Sequence, residues 1–220
     1  MRYEQAVYGS FAFWDRGYAL LARSSGCRVG WLGEFQRACQ MLGEPPAGME
    51  FERSWFARRL VDGGWMIVGV HPVGRDDHGR PGALAFHGLF VDRLSYPWGG
   101  ADPFPLAALT RGDWTAADRD AVLPAGAWRG SARRVVLAAD PLIEPIARAL
   151  ASKRPVVVHA SRPIDELASA VWRVLSWRTR LRCSLSTWAF DNANRFDLVA
   201  MPKLRGTTYA PESLIVEWGA

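Results

Sequence analysis

Hydrophobic and polar positions at the start of the chain follow the pattern of a hairpin and a helix. The runs 3–13 and 17–23 are apolar and aromatic, and Trp14-Asp15-Arg16-Gly17 between them contains turn-forming residues. Apolar residues then recur at helical spacing over 29–42, and Gly43 follows as a C-terminal stop signal. We therefore predict two paired strands followed by a helix.

Three further apolar runs predict consecutive strands of an antiparallel meander. They are 53–61, 64–71 and 83–91. Residues 92–130 then become rich in Pro, Gly, Asp and Trp with little periodicity. We expect a long loop there, with one short helix near 115–122. A stretch of this length within a domain is typically functional or contains a subdomain junction.

After residue 130 the pattern changes to alternating strands and helices. Asp140-Pro141 and Pro163 with Asp165-Glu166 have the residues that begin helices. The expected elements, in chain order, are strand 133–139, a helix after Asp140-Pro141, strand 156–160, a helix from 163, and a hairpin of strands 183–190 and 195–201 joined by 191–194.

These elements predict a mixed α+β fold within one domain covering residues 1–220. Antiparallel hairpins and a meander with one helix come first, and a β-α-β-α-β-β half follows. Each half is small and rich in tryptophan, so we expect the two halves to share one core. If they are separated at all, the junction should lie in residues 92–130.

Composition adds two features to this picture. The chain has 49% hydrophobic and 22% charged residues, which excludes wholesale disorder. It contains 11 tryptophans, and among 27 basic residues lysine occurs only at Lys153 and Lys203. Arginine bias is typical of GC-rich coding sequences. The net charge of +5 permits an acidic partner without requiring one.

The cysteines and the N-terminus indicate a soluble cytoplasmic protein. Cys27, Cys39 and Cys183 are too few and too scattered for a disulfide framework or a zinc site, and an odd count fits a reducing compartment. No signal peptide and no run long enough to cross a membrane is visible. We expect no metal, no cofactor and no membrane partner.

Histidines are the first candidates for chemistry. His87 lies in a predicted strand and is either a shifted base or binding residue, or a core histidine bonded to the backbone. His71 and His78 flank a polar loop and should be solvated. His159 and Asp140 each follow a predicted strand, so they could meet at the ligand-binding edge of a parallel sheet. Capping and packing are the favoured explanation of this last pair, because Asp140 already precedes a predicted helix and no Gly-rich loop follows either strand.

No nucleophile motif is present, and the basic residues form the remaining cluster. Arg178, Arg180 and Arg182 follow a predicted helix and alternate with tryptophans. Arginine beside aromatic rings is suited to stacking on bases and contacting phosphates. Arginine at a helix C-terminus is also ordinary capping, and no recognised nucleic-acid-binding motif occurs.

Several segments resemble the N-terminal domain of the GTPase-associated adaptor proteins of predicted bacterial conflict systems. The segments that carry the resemblance are Tyr8-Gly9-Ser10-Phe11, 17–26, Arg59-Leu60-Val61-Asp62-Gly63-Gly64, Gly79-Arg80-Pro81-Gly82, 86–91 and 175–187. The sequence departs from the family at Pro81-Gly82-Ala83, where a Gly-Asn type of turn is expected, and at Leu175-Ser176-Trp177, where Leu-Pro is common. Carried over by position, Arg80 and His87 are the family-like polar residues, a structural or binding pair.

The resemblance implies a non-catalytic adaptor that mediates assembly or sensing beside a GTPase and effector-linking proteins encoded nearby. Under this hypothesis, exposed tryptophans of the 92–130 segment are partner anchors, namely Trp98, Trp114 and Trp128. The first alternative is an enzyme with a site at His159 and Asp140, or at His87. The second is a single-stranded nucleic-acid binder that uses the arginines of 173–182.

Overall fold

A mixed β-sheet extends through both halves of the chain in the computed structural model, which describes residues 1–45, 49–128, 140–203 and 209–219. Its strands are β1 (Arg2–Gly9), β2 (Ala19–Ser24), β3 (Ser54–Arg59), β4 (Trp65–Arg75), β5 (Pro81–Val91), β6 (Val122–Leu123), β7 (Gly126–Ala127), β8 (Val156–His159), β9 (Leu185–Ser186), β10 (Leu198–Met201) and β11 (Leu214–Glu217). The spatial order is β11-β8-β10-β9-β3-β4-β5-β1-β2-β6, and β7 pairs with β1.

Helices cover both faces of this sheet. They are α1 (Val29–Gln40), α2 (Ser95–Trp98), α3 (Phe104–Ala107), α4 (Ile143–Ala151), α5 (Asp165–Val174) and α6 (Trp177–Arg180), with a 3-10 helix at Ala116–Asp118. Helix α1 packs on one face, and α2 to α5 pack on the other. A mixed sheet with helices on both faces confirms the predicted α+β class.

The N-terminal strands pair as the hydrophobic pattern predicts. Strands β3, β4 and β5 form an antiparallel meander, and β1 pairs antiparallel with both β2 and β5. Alternation places successive side chains on opposite faces, so Phe56 packs against α1 while Trp55 and Ala57 face the helices of the other layer. Helix α1 ends before Gly43, which has a positive φ of 86°.

The C-terminal strands correct one prediction. Residues 183–201 do not form a hairpin, because β9 and β10 pair in parallel, with Leu185 opposite Leu198. The start of both strands is tied by Asp197, whose carboxylate accepts hydrogen bonds of 2.7 Å from the Ser184 backbone nitrogen and hydroxyl. Strand β11, which the sequence pattern did not indicate, pairs in parallel with β8. The predicted strand 133–139 lies outside the described residues.

Strand β9 joins the two halves of the chain into one sheet. It pairs antiparallel with β3 on one side and parallel with β10 on the other. A continuous cluster of buried side chains follows the sheet across this junction, from Trp65 and Leu89 in the N-terminal strands to Val158 and Leu198 in the C-terminal strands. Burial of this apolar surface is what holds the halves together.

The segment 92–128 is more structured than its sequence indicates. It contains α2, α3, the 3-10 helix and the strands β6 and β7, where one short helix near 115–122 was expected. Its buried residues Tyr96, Leu106 and Trp114 cover the sheet. The segment has no clear hydrophobic period, because its short elements pack one by one against a sheet that other parts of the chain form. Among the described helices, none is long and apolar enough to cross a bilayer.

Candidate functional site

Four of the six segments that carry the family resemblance, 8–11, 17–26, 79–82 and 86–91, contribute residues to one end of the N-terminal sheet. Asp77, in the turn between β4 and β5, accepts hydrogen bonds of 2.8 Å from the Ser10 hydroxyl and from the Gly17 backbone nitrogen. Those two residues lie in the connection between β1 and β2. The carboxylate therefore fastens two loops that are about sixty residues apart in sequence.

These loops and the end of α1 enclose a pocket of about 570 Å³. We call it the aromatic pocket. Its lining includes Tyr8, Tyr18, Gln40, Glu44, Arg80 and Phe86. A volume of this size is in the range of small-ligand sites. Six of the fourteen described residues that line the pocket come from the family-like segments.

Three aromatic rings, packed at tilted angles to one another, form the floor of the aromatic pocket. Tyr8 lies opposite Phe86 in the pairing of β1 with β5, and their ring centroids are 6.1 Å apart. Tyr18 packs on both, at 5.9 Å from Tyr8 and 6.5 Å from Phe86. Tyr8 and Phe86 are buried, whereas Tyr18 is 46% exposed. One ring is thus presented to the pocket and two support it.

Hydrogen bonds hold the two phenols in place. The Gln40 amide nitrogen donates to the Tyr8 hydroxyl at 3.0 Å, and the Leu84 backbone nitrogen donates to the Tyr18 hydroxyl at 3.1 Å. Burial raises the pKa of both tyrosines, and for Tyr18 the nearby carboxylates of Asp76 and Glu44 raise it further. Both phenols are therefore neutral near pH 7.

Charged groups lie at the rim of the aromatic pocket. The Arg80 guanidinium donates from Nε to Asp76 at 2.7 Å, and the Arg80 backbone nitrogen donates to the same carboxylate. Burial acts to raise the pKa of Asp76, but these hydrogen bonds outweigh it, so the pKa is lowered. Arg80 thus lies at the mouth of the β4–β5 hairpin, and its partner there is a carboxylate of its own turn.

His87 lies inside β5, the strand that begins just after Arg80, and its hydrogen-bond partners come from other segments. It is buried in the middle of β5, where its Nδ1 accepts a 3.1 Å hydrogen bond from the Arg111 backbone nitrogen. Its Nε2 lies 2.8 Å from the Gln5 side-chain oxygen, so Nε2 carries the proton of a neutral ring. Burial, with the charges of His71 and Arg111, lowers the pKa of His87 to about 3.

His71 is also buried, which corrects the prediction that it lies in a solvated loop. Its Nε2 is 3.3 Å from the hydroxyl of Thr110, which in turn donates to the Ala107 carbonyl. Burial, reinforced by the charge of Arg53, lowers the pKa of His71 to about 4. His78 is exposed, as expected. Both buried rings are thus covered by the segment that follows α3.

The three tryptophans predicted as partner anchors have different environments. Trp98 at the end of α2 is 90% exposed. Trp114 is buried, which contradicts the prediction that it is exposed. Its indole nitrogen donates to the Arg111 carbonyl at 2.8 Å, and its ring packs edge-on against His87. Trp128 is half-buried against the core. Of these three, only Trp98 presents its ring to solvent.

The arginines after α5 serve mainly as helix caps. Arg180 donates to the carbonyls of Leu175 and Arg173 at the end of α5. Arg182 donates to the carbonyls of Leu150 and Ala151 at the end of α4, at 2.7 and 2.8 Å. Arg178 is exposed. Two of the three guanidiniums are thus committed to backbone carbonyls, which favours the capping interpretation over nucleic-acid binding.

The structure brings His159 and Asp140 to the same edge of the sheet. His159 ends β8, and its carbonyl accepts a hydrogen bond from the Trp218 backbone nitrogen. The Trp218 indole donates to Asp140 at 3.0 Å, while the other Asp140 oxygen accepts from the Leu142 nitrogen before α4. Asp140 therefore fixes the turn before α4 and the indole of Trp218, and Trp218 connects it to His159. The His159 Nδ1 has no hydrogen-bond partner among the described residues.

The thiols are unsuited to nucleophilic chemistry. Cys27, Cys39 and Cys183 are buried and free. Burial raises the pKa of Cys27 to about 11 and that of Cys183 to about 12, and it raises the pKa of Cys39 strongly. Thiolate, the reactive form, is therefore scarce at neutral pH.

Sequence reasoning identified Arg80 but missed the rest of the aromatic pocket. The available signal was alternation: Tyr8 and Phe86 lie in predicted strands, inside family-like segments. What the sequence could not supply was the register that sets them opposite each other, or the loop that brings Tyr18 over them. Comparisons with protein-family models and with curated proteins find no match for this chain.

Proposed function

We propose that this protein is a non-catalytic interaction module of a bacterial GTPase-associated defence or signalling system, and that the aromatic pocket is where it docks its partner. The observation that supports the proposal is the position of the family-like segments in the fold. Segments of the family resemblance that are distant in sequence line the same pocket, and Asp77 fastens two of them together. Binding residues are commonly placed on loops that a rigid scaffold positions.

The histidines and cysteines support a binding role over a catalytic one. His71 and His87 are buried and neutral, and each uses ring nitrogen within the fold. A general base needs to reach a substrate proton and to titrate near the working pH, and neither ring does. The raised pKa of the cysteines acts against a thiol nucleophile in the same way.

The shape of the pocket supports docking of a side chain from a partner protein. Tyr18 is half-exposed, and it is held by Leu84 and by the two rings below it. A pre-positioned aromatic ring costs little conformational entropy on binding, which is why tyrosine is common among interface hot spots. Gln40 and Glu44 add polar groups beside this ring.

The proposal requires a GTPase encoded near this gene, and the test purifies that GTPase separately and immobilises it for surface plasmon resonance. We expect saturable binding of the full chain, and a loss of at least tenfold in affinity for Tyr18→Ala. Phe13→Ala is the matched control, because Phe13 lies in the same connection, is 98% exposed and is not among the residues lining the pocket. Tyr18→Phe keeps the ring and should retain most of the affinity.

Two results would overturn the proposal. Absence of binding between the purified GTPase and the wild-type chain would reject the GTPase-associated role. Equal losses for Tyr18→Ala and Phe13→Ala would reject the aromatic pocket as the docking site. Circular dichroism of each variant establishes that the comparison is made between folded proteins.

A further inference from the structure

We infer that the aromatic pocket binds an arginine side chain presented by the partner protein. This inference rests on the docking function proposed above and names the chemistry that the pocket recognises. It follows from the charge at the rim, the exposed ring of Tyr18 and the hydrogen-bond acceptors beside that ring.

The charge at the rim favours a cation. The described lining of the pocket carries one cation, Arg80, which donates to Asp76 at 2.7 Å, and two anions, Asp76 and Glu44, so the charge of these three residues sums to −1. No cation forms an ion pair with Glu44 within the described part of the chain. Glu44 and Asp76 both act on Tyr18 as negative charges. The carboxylate of Glu44 would repel an anionic ligand at the rim, whereas a cationic ligand would form an ion pair with it.

The exposed face of Tyr18 supports the same conclusion. The face of an aromatic ring carries partial negative charge and attracts cations, and arginine is found over such faces more often than lysine. Tyr8 and Phe86 lie behind Tyr18, so the ring keeps its position when a ligand stacks on it. A guanidinium is planar and weakly hydrated, and it can therefore stack where an ammonium cannot.

The hydrogen-bond acceptors of the pocket complement the donors of a guanidinium. Gln40 uses its amide nitrogen to donate to Tyr8, which leaves its amide oxygen as an acceptor. The carboxylate of Glu44 is a second acceptor on the lining. The arginine side chain has five N–H donors and no acceptor, so it can donate to both groups, and it brings no acceptor that would need a partner.

The first experiment measures binding of short peptides to the full chain by two-dimensional ¹H–¹⁵N NMR. The probes are N-acetyl-Gly-Arg-Gly-amide and the same peptide with citrulline or lysine in place of arginine. Citrulline keeps the shape of arginine but lacks its charge. We expect saturable shifts at the backbone amide of Leu84, which contacts Tyr18, with arginine bound at least fivefold tighter than citrulline.

Variants assign this preference to the pocket. Glu44→Gln removes the rim charge and should reduce the preference for arginine over citrulline to less than twofold. Glu144→Gln is the control, since Glu144 is an exposed glutamate on α4, which packs on the opposite face of the sheet. Tyr18→Ala should abolish the shifts. Equal affinity for the arginine and citrulline peptides, or no shift at Leu84, would overturn the inference.

A second experiment separates failure of this inference from failure of the proposed function. Affinity for the purified GTPase is measured with Glu44→Gln, and a loss of about fivefold is expected. Unchanged affinity, with binding still lost in Tyr18→Ala, would leave the docking function standing and overturn the arginine assignment. Peptide binding without GTPase binding would overturn the proposed function. Concentration-dependent shifts without peptide would show that a second copy fills the pocket, and would overturn the assignment to a partner.

Discussion

Acidification should destabilise this protein through its two buried histidines. His87 and His71 are neutral in the fold, with pKa values lowered to about 3 and about 4 from an ordinary value of 6.5. In the unfolded chain both rings are solvated and bind a proton at pH 5. The unfolded state therefore takes up more protons than the folded state, so stability falls as the pH drops through 6.5.

The magnitude follows from these pKa values. At pH 5 a solvated histidine of ordinary pKa gains about 2 kcal/mol from protonation, since each pKa unit corresponds to about 1.4 kcal/mol. Neither buried ring is protonated to a large extent at that pH, so for each histidine the full protonation free energy favours the unfolded state. We expect the free energy of unfolding to fall by about 2 kcal/mol for each histidine between pH 7.5 and pH 5.

The assay is urea denaturation at pH 7.5 and pH 5 of the wild type and His87→Gln. Glutamine can accept from the Arg111 nitrogen and donate to Gln5 without titrating. The variant should lose about 2 kcal/mol less than the wild type over this range. His78→Gln, which alters an exposed histidine, should show the wild-type pH dependence. Identical pH dependence in the wild type and His87→Gln would refute the placement of His87 in a closed, neutral site.

Three further predictions concern stability and are measured by urea denaturation at pH 7.5. Gly69→Ala should destabilise by about 2–3 kcal/mol, because an added Cβ would lie 2.1 Å from the Thr110 hydroxyl oxygen; wild-type stability would show that the segment after α3 is not packed there. Gly33→Ala should stabilise by about 0.5–1 kcal/mol, because it lies inside α1 with open space around it; a loss would contradict this. Arg182→Gln should cost about 1–2 kcal/mol through its two carbonyl hydrogen bonds, whereas Arg178→Gln at an exposed position should change stability little; equal effects would contradict the capping role.

The candidate site was predictable only in part. The family-like segments drew attention to Arg80, and the structure places it on the rim of the aromatic pocket. Tyr18 lies in a family-like segment but has no feature that distinguishes it there, and Glu44 is an ordinary residue after a helix. Their significance comes from the loops that bring them to the same end of the sheet.

Local pattern by itself determined the first half of the fold. Helix α1, the β3–β4–β5 meander and the β1–β2 pair all appear close to their predicted positions. Each depends on periodicity and turn residues within a short window, which are readable in one sequence. The helices α4 and α5 were found in the same way, from apolar stripes and residues that begin helices.

Tertiary structure decided which strands pair and which side chains meet. Nothing in residues 183–201 distinguishes a hairpin from the parallel pairing of β9 with β10, because the choice depends on Asp197 binding Ser184 and on the neighbouring strands β3 and β8. His71 is buried only because the segment after α3 covers it. Contacts between residues far apart in the chain have no period and no local signal, so only the folded chain reveals them.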